Sequence, residues 1–323
     1  MYGGYQYGSV SNSRRHAFPF ARHHMQLALA YIGLILIWST TPICIQWSTE
    51  GLDLTFSVFT RMLLGFAASA VLLLVSRTRF PWHPRARYAY LIGGLGLFSS
   101  MALTYCAARY IYSGLISVMF GLAPLMSSIL ATMLLGERSL TPSKLSGAFL
   151  GIGGLAVIFF DSSRLASPDF IPGLCILFAS VFFYSLGLVW LKYIDDNSPP
   201  LATTTGALCV ASLCFGALWF TLGRKIPMLI PSKSALAIGY LGLFGSTLAF
   251  TLYYYLIKHL PATVVSLSTL LPPVLALLLG SWLNGEATTP TLWFGTSLIL
   301  LGLIAHQYEA LRPMLRSIVE IKR

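Results

Sequence analysis

The sequence predicts an all-α integral membrane protein of ten transmembrane helices in two inverted five-helix repeats, and three observations carry that expectation. The first is composition: 56% of the 323 residues are hydrophobic, 10% are charged, and the mean hydropathy is +0.75. Soluble domains carry about 25% charged residues, so this chain has too little charge to cover a water-facing surface. The second is run length. The apolar residues fall into continuous stretches of roughly 20, the length that crosses the hydrocarbon core as a helix, and not into the short alternating segments of a membrane barrel. The third is an internal repeat. At an offset of 149, Tyr105 falls on Tyr254, Arg109 on Lys258, Ser117 on Ser266, Pro124 on Pro273, Gly136 on Gly285 and Glu137 on Glu286. With one residue removed after the Glu, Thr141-Pro142 falls on Thr289-Pro290, Gly147 on Gly295 and Gly154 on Gly302. Such self-similarity marks one supersecondary unit made twice.

Residues 1–26 are Gly, Ser and Tyr rich and basic towards their end, which predicts a disordered cytoplasmic tail. The run that follows has no small-residue cleavage site and is long enough to span, so it reads as a first helix rather than a removed signal peptide. The expected spans are 27–46, 54–76, 88–107, 112–135 and 144–160, then 171–192, 202–222, 235–257, 262–283 and 291–308. The two repeats therefore occupy 27–160 and 171–308, followed by a basic cytoplasmic tail at 309–323. At an offset of 146, Trp38-Ser39 in the first span falls on Tyr184-Ser185 in the sixth, so the repeat reaches the start of each half. An odd number of spans per unit sets the second unit upside down relative to the first. Repeats inverted in this way place a substrate site near the midplane between the halves.

The net charge of +11 does not point to nucleic acid, because its distribution is that of a membrane protein. With the N-terminus in the cytoplasm, 15 Lys and Arg fall on the inside and 5 on the outside, with Arg61 left within a span. That is the positive-inside asymmetry, and it puts both termini in the cytoplasm. The five cysteines all fall in apolar runs without a CxxC pair, as small helix-packing residues do, so no metal or cofactor is expected. No P-loop, HExxH or GxGxxG occurs, so neither nucleotide hydrolysis nor metalloprotease chemistry has a footing, and neither His259 nor His306 has the supporting Ser motif of a membrane serine protease. Loops are short, with no room for a soluble domain.

Intramembrane charge is expensive and marks candidate sites. Arg61 is the Lys or Arg that lies well inside a span. It either pairs a substrate carboxylate or phosphate through bidentate bonds or snorkels and anchors the second helix. No Asp or Glu lies mid-span, so a buried acidic proton relay is not visible. Glu137 and Glu286 follow Gly136 and Gly285 in turns, where each is expected to accept backbone N–H bonds at the start of the next helix. Pro124 and Pro273 fall in the middle of the fourth and ninth spans and are expected to bend them. The candidate pocket residues are Trp38, Tyr105, Ser117, Tyr184, Tyr254 and Ser266, twinned aromatic and small polar residues within the spans.

Tyr105 to Tyr110, Ala123-Pro124, Gly136-Glu137-Arg138 and Thr141-Pro142, with the second copy from Tyr254 to Gly302, resemble the EamA-type repeat of the drug/metabolite transporter superfamily. Trp38-Ser39 resembles the Trp-small pattern that opens the family's first helix; Tyr184, where Trp is common, and the doubled Pro272-Pro273 depart from it. The resemblance implies two inverted repeats around a central cavity in a bacterial inner-membrane carrier. It also implies export of an amino acid or similar small metabolite by alternating access. An importer or exchanger of a nucleobase, nucleoside or nucleoside-like cofactor is the alternative, and an intramembrane enzyme the remote one. The expected partners are a small-molecule substrate and the bilayer.

Overall fold

The computed structural model describes residues 17–136, 142–160, 169–222, 226–260 and 268–321. Among them every regular element is a helix. In chain order these are α1 (Ala17–Ser48), α2 (Leu54–Val75), α3 (Pro84–Ala107), α4 (Ser113–Phe120), α5 (Ala123–Leu135) and α6 (Pro142–Phe159). The second half supplies α7 (Phe170–Ile194), α8 (Pro200–Thr221), α9 (Ser232–Tyr240), a π-helical segment (Leu241–Leu248), α10 (Ala249–His259), α11 (Leu271–Asn284) and α12 (Pro290–Ile321). Seven helical stretches, from Met25–Ser48 to Ser232–Tyr253, are long and apolar enough to cross a membrane, and Pro142–Ile158, Leu271–Asn284 and Pro290–His306 are shorter apolar helices.

The helix starts follow from local chemistry. Asp53 caps α2, its carboxylate accepting from Thr55 N at 2.9 Å and Phe56 N at 3.3 Å. His83 caps α3, with Nδ1 accepting from Ala86 N at 3.2 Å ahead of Pro84. Prolines open α6, α8 and α12, where the missing N–H costs nothing and the fixed φ favours the first turn. Gly136 and Gly285, at twin positions, end α5 and α11 at φ +64° and +62°, a left-handed conformation that glycine adopts without a Cβ clash.

Three differences from the expected spans bear on function. First, α1 starts ten residues earlier than position 27; residues 1–16 lie outside the described residues. Second, the fourth span is not one helix. The chain breaks at Gly121-Leu122, and Pro124 sits in the first turn of α5 rather than mid-helix. Pro273 likewise sits in the first turn of α11, and residues 261–267 before it lie outside the described residues. The two breaks face each other: a Cβ built on Gly121 would lie 3.5 Å from Pro273 Cγ. Proline belongs at such a helix start because it has no N–H to leave unsatisfied. Third, the eighth span carries the π segment in its middle, a feature frequent at functional sites.

Packing between helices relies on small residues, as expected where lipid gives no hydrophobic drive for association. On the α6–α12 seam, a Cβ on Gly147 would meet Gly302 O and one on Gly154 would meet Gly295 O, each at 2.5 Å. Between α3 and α7, Ser180 Oγ lies 2.7 Å from Thr104 Oγ1 and 3.1 Å from Ser100 Oγ, and donates to Ser100 O at 2.8 Å. Leu36, Val71, Met133, Phe149, Leu213 and Leu236 point outward, where lipid tails meet them.

Candidate functional site

Arg61 on α2 is 4% exposed, and Glu286 beyond α11 is 8% exposed; these are the two buried charged side chains among the described residues. They sit in different surroundings. Charges taken out of water are retained when hydrogen-bonded and paired, and only one of these two is well supplied.

Glu286 is fully engaged. Its Oε1 accepts from Ser113 Oγ at 2.6 Å, Ser113 N at 3.1 Å and Asn284 Nδ2 at 3.3 Å, while Oε2 accepts from Gly114 N at 3.2 Å. A carboxylate at the N-terminus of α4 meets the positive end of that helix and its orphan N–H groups. The expected partner was the helix that follows Glu286. The observed one is α4, from the other half of the chain, because the Gly285 turn swings the carboxylate across the seam. Glu137 lies outside the described residues.

The same end of the molecule carries a polar lattice. Gln46 Nε2 donates to Ile111 O at 2.8 Å, Asn284 Nδ2 donates to Gln46 Oε1 at 3.1 Å, and Trp47 Nε1 donates to Asn284 Oδ1 at 2.7 Å. Lys233 pairs with Glu50 at 2.8 Å and lies 4.7 Å from the Trp47 ring centroid. These bonds tie the end of α1 to α4 and α11. Around them is a cavity of about 380 Å³, lined by Gln46, Thr49, Glu50, Ala108, Tyr112, Asn284 and Glu286. A second cavity, of about 70 Å³, lies beside the middle of α3, where Gly93, Gly96 and Leu97 meet Tyr184, Gly187, Thr203, Thr204 and Phe250.

Arg61 lies outside the linings of both cavities. Its Nη1 donates to the Tyr105 hydroxyl at 3.3 Å and its Nε to Ser246 Oγ at 3.4 Å, with the guanidinium carbon 5.8 Å from the Tyr105 ring centroid. Ser246 belongs to the π segment, as does Thr247, whose hydroxyl donates to Gly65 O at 3.0 Å. Next to them Thr40 Oγ1 and the Tyr240 hydroxyl share a 2.6 Å bond.

The sequence candidates are distributed over the body. Tyr105 is fully buried and meets Arg61. Trp38 packs on Tyr253 of α10, ring centroids 5.5 Å apart, in the α1–α10 cluster. Tyr184 meets Phe120 edge to face at 5.5 Å and lines the smaller cavity. Ser117 is buried in α4. The Tyr254 side chain and all of Ser266 lie outside the described residues. The structure thus brings Arg61 and Tyr105 together and packs Trp38 and Tyr184 against different clusters. Ser246, Gln46 and Asn284 were not singled out from the sequence. The two amides carried a signal, since each interrupts an apolar run near a span end; Ser246 did not.

An all-helical body with long apolar stretches and hydrogen-bonded polar groups between them is a multi-pass membrane protein. The chain belongs to the EamA-like transporter family, which matches residues 25–160 and 171–305, and it is a membrane transporter of a small-molecule substrate rather than an enzyme. It is 27% identical over 287 residues to the inner membrane transporter YedA of Escherichia coli, covering 88% of this chain and 91% of that protein. A transporter of Archaeoglobus fulgidus is 25% identical over 83% of this chain and 94% of its own length. The S-adenosylmethionine/S-adenosylhomocysteine transporter of Chlamydia trachomatis is 25% identical over 84% and 86%. One solved crystal structure shares the fold with a TM-score of 0.62 at 22% identity, over 88% of this chain and 98% of that one.

Proposed function

We propose that the protein is an alternating-access carrier that exports an amino acid across a bacterial inner membrane. In this reading ten spans form two inverted five-helix repeats, 27–160 and 171–308, around a central path. Both termini are cytoplasmic, and the Ser48 end of α1 is periplasmic. The observation that carries the reading is the pair of cavities along α3, one beside Gly93, Gly96 and Leu97 and one beyond its end at Ala108, with Tyr105 and its partner Arg61 at a level between them. A barrier with a cavity on each side is what a carrier exchanges between its two states. The reciprocal glycines support the inversion: Gly147 aligns with Gly295 and Gly154 with Gly302, yet the contacts run Gly147–Gly302 and Gly154–Gly295. Exchanged contacts of this kind belong to a twofold axis. Trp38, Tyr105, Ser117, Tyr184, Tyr254 and Ser266 are the substrate-facing residues of this reading. Counterflow in proteoliposomes tests it. Saturable exchange of a labelled amino acid is expected, and none across the full set of twenty would sink the substrate class. The Chlamydia relative favours a second reading, exchange of an S-adenosylmethionine-like nucleoside. The same assay distinguishes it, because that compound and not the free amino acids would then drive counterflow.

A further inference from the structure

Arg61 has an unmet demand that Glu286 does not. A guanidinium carries five N–H donors, and two of them find acceptors here, at 3.3 and 3.4 Å. Charge-assisted bonds run nearer 2.7–2.9 Å when satisfied. No carboxylate among the described residues pairs with Arg61, although it is 4% exposed. Burying a cation without a counter-ion carries a desolvation penalty that no carboxylate among the described residues offsets, and a merely structural residue at this place is better served by an apolar side chain. The third nitrogen, Nη2, faces Gly245 of the π segment. A Cβ built there would lie 3.7 Å from Nη2 and 3.6 Å from Thr41 Oγ1. Glycine at 245 therefore brings no side chain up to Nη2, whose remaining neighbours there include Leu241 and Thr41.

We propose that the Nη1–Nη2 edge of Arg61, with the Tyr105 and Ser246 hydroxyls, binds the carboxylate of the transported substrate. The geometry suits two oxygens in a plane, because the fork of Arg matches a carboxylate bidentately. Tyr105 and Ser246 each accept from Arg61 and keep an O–H to donate to the same anion. The charge suits a monoanion. With a single buried cation here, a doubly charged phosphate would leave net negative charge in a low-dielectric layer. The π segment places Ser246 and Gly245 on the Arg61 side of the eighth span, which gives that irregularity a task.

The inference rests on the carrier reading for its substrate but not for its site, so it is tested by binding. Purified protein in detergent is melted with each L-amino acid and with its carboxamide, and with S-adenosylmethionine beside its decarboxylated analogue, at matched ionic strength. At least one acid is expected to raise Tm by about 2 °C or more over its carboxamide or decarboxylated partner. Arg61→Met is expected to abolish that difference without lowering the ligand-free Tm. Gly245→Ala places a methyl at ordinary contact distances, so the variant folds, and it too is expected to lose the difference. Equal shifts for acid and analogue in the wild type, no shift with any acid, or a difference that survives in Arg61→Met or Gly245→Ala would each overturn the proposal. So would a ligand-free Tm that falls in Arg61→Met, the mark of a structural anchor. An intact binding difference without counterflow in liposomes would instead overturn amino-acid export and leave the site standing.

Discussion

At the residue scale, burial without compensation separates Arg61 from Glu286. The Glu286 carboxylate spends both oxygens on α4 and Asn284. Replacing it by Ala leaves Ser113 N and Gly114 N without acceptors in a buried seam, and an expected loss of about 2–3 kcal/mol follows. Glu286→Gln keeps one acceptor oxygen but sets its NH2 against the N–H on the other side, so it is expected to destabilise in the same direction and by less than Glu286→Ala, as read from thermal unfolding in detergent. Arg61 was legible in the sequence because it is a charge standing alone in an apolar run. Its partners were not, since Ser246 lies 185 residues away in an ordinary apolar stretch. Glu286 shows a subtler limit. Aligning a repeat with itself finds equivalent residues, but contact between the halves is a different relation, so the sequence placed its carboxylate on the neighbouring helix rather than on α4.

At the element scale, helix ends were readable where chemistry enforces them. Asp53, His83 and the prolines at 142, 200 and 290 set starts that the sequence marks within a few residues. The Gly121-Leu122 break was readable in part: Pro124 marked a bend in the fourth span, but the apolar pattern runs through unchanged, so a full interruption ahead of the proline was not. The left-handed caps offer a clean check. A Cβ on Gly136 or Gly285 meets nothing within 4 Å, so Gly136→Ala and Gly285→Ala incur only the backbone cost of that conformation, about 1 kcal/mol each. On the α6–α12 seam the cost is steric instead. Gly154→Leu is expected to lose about 1–3 kcal/mol through overpacking, measured as a fall in Tm, while membrane insertion is unchanged.

At the scale of the whole molecule, the polar lattice at the Ser48 end joins α1 to α4 and α11 across both halves of the chain. In an alternating-access cycle these bonds break whenever that end opens. Cysteines at Gln46 and Asn284, introduced into a variant lacking the five native cysteines, are expected to cross-link on oxidation. The cross-link is expected to cut counterflow at least about tenfold, with recovery on reduction; full flux with the cross-link formed would refute an opening at that end. Orientation has its own measurement. A fluorescent-protein fusion after Arg323 is expected to be bright, and alkaline phosphatase fused at Leu229 to be active, as the positive-inside count requires.

The glycine seam has a historical consequence. In a half-length chain that paired with an oppositely oriented copy of itself, the Gly147–Gly302 and Gly154–Gly295 contacts would be one contact seen twice. A single substitution there would strike both sides of the seam at once. Joining the halves into one polypeptide makes them separate loci, each free to accept a change that its counterpart refuses. The same separation lets one half keep an arginine at position 61 with no equivalent cation in the other, so that, on the proposed reading, a passage built from two related halves treats the two ends of a molecule differently.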